Sequence, residues 1–199
     1  GLGYVGLPLA VELARAGFEV SGLDIAADKI EQLKAGQSYI PDVSEAVLRD
    51  ALAGGRFVAT TDQAVLSAAD IIDICVPTPL RKTRDPDLSY VVKAVSDIAP
   101  HLRYGQLVIL ESTTYPGTTD EVVRPVLEAG GLKAGEDFSL AFSPERVDPG
   151  NRQFSTRNIP KVVGGVNAGS TEAAALFYAQ IVDEVVPVSS PAVAEMVKL

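Results

Sequence analysis

Short apolar runs of strand length alternate along this chain with segments whose apolar residues recur at helical spacing. Val5, Leu9, Leu13 and Ala16 share one helical face, and residues 18–23 then read as a strand. The same patterning predicts helices over 26–35, 44–53, 63–69, 88–99, 118–128 and 170–181. It predicts strands over 56–60, 71–76, 106–110, 138–142, 161–163 and 185–188. Residues 71–76 are almost unbroken in apolar character, as expected of a strand covered on both faces. Ser190 followed by Pro191 reads as an N-cap with proline at the first helical position. The alternation implies an α/β fold of the Rossmann-like, doubly wound kind, with a mostly parallel sheet.

The chain opens Gly1-Leu2-Gly3-Tyr4-Val5-Gly6, a G-x-G-x-x-G followed by an amphipathic helix. The first glycine permits a tight turn, the second lets backbone approach a diphosphate, and the third lets the helix pack close to a strand. The helix N-terminus then presents N–H groups and a positive dipole end to the phosphates. Asp24 stands at the end of the next strand, 18 residues after Gly6. That is close to the spacing of roughly 20 expected of an acid that binds adenosine ribose hydroxyls. A carboxylate there repels a 2′-phosphate, which favours NAD over NADP. Lys29, one helical turn on, can help hold the cofactor. The plain alternative is a tight turn at the glycines and a helix cap at Asp24. The strand expected before Gly1 is missing, so the sequence is read as part of a longer one, truncated at both ends.

Doubly wound sheets bind ligands beyond the carboxyl ends of their strands. Three predicted strands deliver hydroxyls or charges there: Pro77-Thr78-Pro79, Glu111-Ser112-Thr113-Thr114, and Ser143-Pro144-Glu145-Arg146. Thr78 and Thr113 can contact the nicotinamide ribose or hold a water, and Glu145 can act as a general base or orient that water. Ordinary turn chemistry is the competing account of each loop taken singly. The stretches 77–87 and 143–160 are the two long irregular segments.

Composition narrows the function classes. With 17 basic and 26 acidic residues the formal charge is −9, which disfavours broad nucleic-acid binding. One cysteine, Cys75, and one histidine, His101, leave no internal disulfide, no CxxC metal site and no His-rich metal centre. No metal ligands are expected. Cys75 sits in an apolar run and reads as a small buried thiol. No apolar run approaches the roughly 18 residues that cross a bilayer, so neither a membrane partner nor any compartment but the cytoplasm is expected.

These residues resemble the UDP-glucose/GDP-mannose dehydrogenase family. Residues 1–8, Val76-Pro77-Thr78-Pro79, Ser112-Thr113 with Pro116-Gly117-Thr118, and Ser143-Pro144-Glu145 occur in its order and spacing. Glu195-Met196-Val197-Lys198-Leu199 looks like the start of its long central helix. The resemblance implies an NAD-binding domain over 1–188 and the start of a central dimerisation helix over 189–199. It assigns Gly1, Gly3, Tyr4, Val5, Gly6, Asp24, Lys29, Pro77, Thr78 and Thr113 to the cofactor. It assigns Thr113, Glu145 and Lys198 to catalysis, and Glu145, Arg146, Val147 and Lys198 to the substrate, with Arg157 and Lys161 as further contacts to phosphate or sugar.

The stretches 79–90, 111–119 and 143–161 are similar to members that oxidise UDP-N-acetylglucosamine or a related N-acetylhexosamine. UDP-glucose enzymes usually carry Phe-Leu where Arg146-Val147 stand here. The implied activity is NAD-dependent oxidation of a sugar C6 alcohol to the uronic acid by two hydride transfers, in a homodimer. The family's cysteine nucleophile would lie in a region this chain does not include, leaving the fragment inactive alone. Three alternatives stay open: a UDP-glucose 6-dehydrogenase, a 3-hydroxyacid or 6-phosphogluconate type of dehydrogenase, and a module that binds NAD without chemistry.

Overall fold

The computed structural model describes residues 1–81, 86–145 and 157–198. The chain runs α1 (Gly6–Ala16), β1 (Val20–Leu23), α2 (Ala27–Lys34), α3 (Glu45–Ala53), β2 (Phe57–Thr60), α4 (Val65–Ala68) and β3 (Ile71–Ile74). It continues through α5 (Ser89–Ile98), β4 (Leu107–Leu110), α6 (Arg124–Glu128), β5 (Ser139–Phe142), β6 (Lys161–Gly165), α7 (Ala168–Tyr178), β7 (Val185–Pro187) and α8 (Pro191–Met196). The elements follow the hydrophobic periodicity closely. Ser190 caps α8, its hydroxyl accepting from the Val193 amide. Among the described residues no helix is long and apolar enough to cross a membrane.

The strands form two sheets. β1 and β2 pair in parallel, and the second sheet has the order β3-β4-β5-β6-β7. Its first three strands are parallel, β6 runs antiparallel to β5, and β7 is parallel to β6. The reversal at β6 has a simple basis. A parallel neighbour needs a crossover, usually a helix, and residues 143–160 carry no helical periodicity. Among the described residues nothing pairs with the inner edges of β1 and β3. The segment Gly1–Leu2 sits where those two strands end: the Leu2 amide donates to Asp24 beyond β1, and Gly1 packs on the Cys75 carbonyl beyond β3.

Helix α1 joins the two sheets. Its Leu7, Ala10, Val11 and Ala14 pack with Leu33, Leu48 and Phe57 around the smaller sheet. Its Leu9 and Leu13 pack with Ile109, Val163, Phe177 and Tyr178 on one face of the larger sheet. The other face is covered by Val91, Val95 and Ile98 of α5 and by Val123 and Leu127. β4 is buried at every residue, with Leu107 and Ile109 turned to one layer and Val108 and Leu110 to the other.

The predicted helix over 118–128 departs from a uniform α-helix. Residues Thr119–Val123 form a π-helical turn before α6. Pro125 has no amide to bond one turn back, and a widened turn accommodates the gap. The buried Gln106 is a second feature that periodicity alone does not explain. Its amide nitrogen donates to the Leu66 and Ala69 carbonyls at 2.9 and 2.7 Å, tying α4 to the start of β4.

Ile109→Ala should cost about 2–5 kcal/mol, because it opens a cavity between covered layers. Leu176→Ala, at a side chain 61% exposed, should stay within about 0.5 kcal/mol. Urea denaturation of both variants checks the contrast.

Candidate functional site

The glycine loop is shaped by contacts that a side chain would destroy. A Cβ on Gly1 would lie 2.5 Å from the Cys75 carbonyl oxygen, and one on Gly6 would lie 1.9 Å from the Gly1 carbonyl oxygen. Gly3 has nothing within 4 Å of that position. The closed sides of the loop therefore face protein, and the side at Gly3 is open for an approaching ligand. α1 begins directly behind the loop with no side-chain cap and no acidic residue in its first turn. Its leading N–H groups and dipole are left to act on an anion. Tyr4 is 54% exposed beside them.

Asp24 is half-buried at the end of β1. Its carboxylate accepts from the Leu2 amide at 2.8 Å and from the Ala26 amide at 3.0 Å. Burial pushes this group up, but the two amides and the nearby Lys29 charge outweigh it and hold the carboxyl below its usual range. Lys29 stands 5.7 Å over the Tyr39 ring. The Tyr39 hydroxyl donates to the Leu2 carbonyl at 2.7 Å, and burial with the Asp24 and Asp28 charges pushes this phenol up to about 12. Asp24, Lys29 and Tyr39 thus form one ordered group beside the loop. Each Asp24 oxygen keeps a second lone pair for a ribose hydroxyl.

Strand ends complete the edge. Pro77 is exposed and Thr78 half-buried after β3. After β4, Thr113 is exposed, whereas Thr114 is buried with its hydroxyl lacking a hydrogen-bond partner among the described residues. Ser143, after β5, also buries an unpartnered hydroxyl. A buried hydroxyl left unpaired costs about 1–3 kcal/mol, a cost expected where the group serves a bound molecule. Glu145 is buried beside them, and the Lys198 ammonium donates to its backbone carbonyl. α8 carries Lys198 to this position because Glu195 is clamped below it. The Glu195 carboxylate accepts from the Gly117 and Thr119 amides at 2.6 and 2.9 Å and from the Thr119 hydroxyl at 2.7 Å.

Beneath this edge lies a buried polar cluster. The Tyr178 hydroxyl of α7 is 2.7 Å from Glu111 Oε2 and 2.9 Å from Asp73 Oδ2. The Lys161 ammonium pairs with Glu111 Oε1. Burial, reinforced by the Glu111 charge, lifts Asp73 well above the carboxylate range. Burial also pushes Glu111 up, but the Lys161 charge and bonds from Glu145, Lys161 and Tyr178 hold it below its usual value. Burial alone would neutralise Lys161; Glu111 above all, then Glu145, keep it charged. Burial together with Asp73 and Glu111 pushes the Cys75 thiol far up, so it is an inert core group.

The structure thus brings Gly1, Gly3, Tyr4, Val5, Gly6, Asp24, Lys29, Pro77, Thr78, Thr113, Glu145 and Lys198 to one edge of the fold. Lys161 is buried next to that edge, its ammonium paired with Glu111 and within reach of the Glu145 charge. Arg157 pairs with Asp183 at 3.2 Å. Arg146 and Val147 lie outside the described residues. Thr114 was hidden from sequence reasoning by its neighbour. Both threonines lie in the loop after β4, and the path of that loop rather than any local pattern decides which one is buried.

A glycine loop at a bare helix N-terminus, an acid on the neighbouring strand and hydroxyls at the strand ends define a dinucleotide-binding α/β domain. Residues 1–182 match the UDP-glucose/GDP-mannose dehydrogenase family, NAD binding domain, and the chain belongs to that family. It is 36% identical over 201 residues to UDP-N-acetyl-D-mannosamine dehydrogenase of Pyrococcus horikoshii, covering 100% of this chain and 48% of the relative. It is 38% identical over 183 residues to UDP-N-acetyl-D-glucosamine 6-dehydrogenase of Pseudomonas aeruginosa, covering 92% and 42%. The solved structure of UDP-D-ManNAc dehydrogenase from Pyrococcus horikoshii superposes with a TM-score of 0.93 at 35% identity, covering 100% of this chain and 47% of that one. The chain spans about half the length of the curated relatives it matches.

Gly3→Val should leave stability unchanged, because its Cβ meets nothing, yet weaken NAD binding on the order of tenfold or more by filling the approach to the loop. Calorimetric titration with NAD measures this. Asp24→Asn should cost about 1 kcal/mol at neutral pH, the net worth of bonds to a half-exposed carboxylate. Because the folded-state value is depressed, Asp24's contribution is complete above the ordinary carboxylate range and lost as pH falls through the lowered value. The variant's stability should therefore fall less steeply in acid, as denaturation curves between neutral pH and about pH 2 would show.

Proposed function

We propose that this chain is the cofactor half of an NAD-dependent nucleotide-sugar 6-dehydrogenase. The substrate is a UDP-N-acetylhexosamine, UDP-GlcNAc foremost, whose C6 alcohol is oxidised to the uronic acid in two hydride transfers. UDP-ManNAc is the second reading, because the Pyrococcus relative that spans the whole chain bears that name. The observation that supports the proposal is the open glycine loop at the bare start of α1, with the Leu2 amide bound to Asp24, together with the contact of Lys198 on the Glu145 carbonyl.

The bound NAD supplies the hydride acceptor. Gly1, Gly3, Tyr4, Val5 and Gly6 hold its diphosphate against backbone, and Asp24, with Lys29 beside it, holds the adenosine ribose. Pro77, Thr78 and Thr113 line the way toward the nicotinamide. Thr113 and Glu145 orient water and move its proton, and the buried Thr114 hydroxyl next to Thr113 in the chain is a further candidate for holding that water. Lys198, a cation at the mouth of the site, stabilises negative charge developing on the reacting oxygen. Arg146 and Val147 contribute to the sugar side. Cys75 is no nucleophile, since its thiol is buried and kept protonated. The thioester-forming cysteine belongs to another part of the longer protein. Pairing of two copies through the helix that α8 begins, and a cytoplasmic setting, complete the reading.

Full-length protein should generate NADH with UDP-GlcNAc or UDP-ManNAc in preference to UDP-glucose, followed by absorbance; silence across the panel would sink the proposal. Glu145→Gln should lower kcat by about 10²–10⁴-fold. Thr114→Val keeps the shape and removes an unpaired buried hydroxyl. It should reduce kcat without lowering the thermal midpoint.

A further inference from the structure

Three successive peptide groups of the glycine loop are each held by a hydrogen bond. The Gly1–Leu2 peptide donates its N–H to Asp24 at 2.8 Å. The Leu2–Gly3 peptide accepts at its carbonyl from the Tyr39 hydroxyl at 2.7 Å. The Gly3–Tyr4 peptide accepts at its carbonyl from the Leu7 amide at 3.1 Å. The middle hold comes from a side chain 37 positions away, in the segment between α2 and α3. That segment is anchored although it is neither helix nor strand. Ile40 and Val43 are buried with Leu2, Leu33 and Phe57. The Val43 amide and the Ser38 hydroxyl both donate to the Ile40 carbonyl, at 3.0 and 3.1 Å. Lys29 stands 5.7 Å over the Tyr39 ring and steadies it from the α2 side.

A peptide group is planar and trans, so its C=O and N–H point in opposite directions. The first of the three shows the consequence. With its N–H on Asp24, the Gly1–Leu2 peptide turns the Gly1 carbonyl the other way, onto α1 at Gly6. By the same geometry, the Leu2 carbonyl on Tyr39 turns the Gly3 N–H away from the phenol. Rotating this one peptide by about half a turn would exchange the two groups, as between type I and type II turns. Glycine makes that rotation cheap, because Gly3 has no Cβ and nothing lies within 4 Å of where one would be. The rotated loop would set a carbonyl oxygen where an N–H had been, and an anion would meet a partial negative charge instead of a donor.

We propose that Tyr39 is a positioning residue for the cofactor diphosphate, its hydroxyl locking the Leu2–Gly3 peptide so that the Gly3 N–H, and not the Leu2 carbonyl, is offered to the phosphates. Tyr39 acts through the loop, without touching the cofactor. A carbonyl oxygen only accepts, so the lock requires the phenolic proton. Burial with the Asp24 and Asp28 charges, which pushes this phenol up to about 12, keeps that proton in place through the neutral range. The inference rests on the reading of the glycine loop as an NAD site.

Calorimetric titration of the full-length protein with NAD, ADP-ribose and 5′-AMP compares the wild type with Tyr39→Phe. Phenylalanine keeps the ring beside Lys29 and removes only the hydroxyl, so the variant should fold. It should bind NAD and ADP-ribose on the order of 3–10-fold more weakly, the equivalent of one hydrogen bond. It should lose less affinity for 5′-AMP, which carries one phosphate in place of the diphosphate. Tyr104→Phe, at a ring 72% exposed, is the control and should change none of the three. A lowered thermal midpoint with undiminished NAD affinity makes the bond purely structural and overturns the inference. An equal loss with all three probes also overturns it, because the phenol would then act on the adenosine itself. In either case a wild type that binds NAD leaves the dehydrogenase reading intact. A wild type that binds no NAD refutes the reading of the loop, and this inference falls with it.

Discussion

The contact on which the rest depends is that of backbone with backbone at Gly1 and Gly6. The Gly1 carbonyl lies where a Gly6 side chain would be, and Gly1 itself presses on the Cys75 carbonyl. That closeness lets α1 settle between the two sheets, with Leu7 and Val11 packed on one and Leu9 and Leu13 on the other. It also aims the bare end of α1 at the edge where the strands finish. Packing and ligand geometry are therefore two results of one steric permission, and neither can be altered alone at these positions.

A second constraint is electrostatic. Lys161 and Glu111 lie inside the larger sheet, where desolvating either alone is costly. They are tolerated because each satisfies the other, and because Tyr178 and Glu145 take up remaining hydrogen-bonding capacity. The pair sits under the strand ends, so its charge is felt by Glu145 and little by solvent. A rigid, low-dielectric base beneath Glu145 fixes its orientation without adding a mobile group at that edge.

Much of the fold was legible in the residue pattern. Strand β4 reads as buried because it is apolar throughout, and α1 reads as a packed helix because its apolar positions recur with helical period. The conformation of the glycine loop and the position of Asp24 at the end of β1 are legible for a similar reason: they follow from missing side chains and from a spacing set by one βαβ turn. Less legible was the polar interior. Lys161 looks like a substrate contact in a basic stretch, and Tyr178 looks like one more aromatic on a helix. Their partners, Glu111 and Asp73, are 50 and 105 residues away in the chain.

Sequence alone determined which segments are helix and strand, that the sheet is mostly parallel, and that the opening loop is a glycine turn leading into a helix. These follow from local periodicity, turn chemistry and sterics, which short stretches carry by themselves. Tertiary structure alone decided that Thr114 and not Thr113 turns inward, that β6 reverses direction, and that Lys161 is consumed by Glu111. Each of those depends on the path of a loop or on contacts between distant elements, which no short stretch fixes by itself.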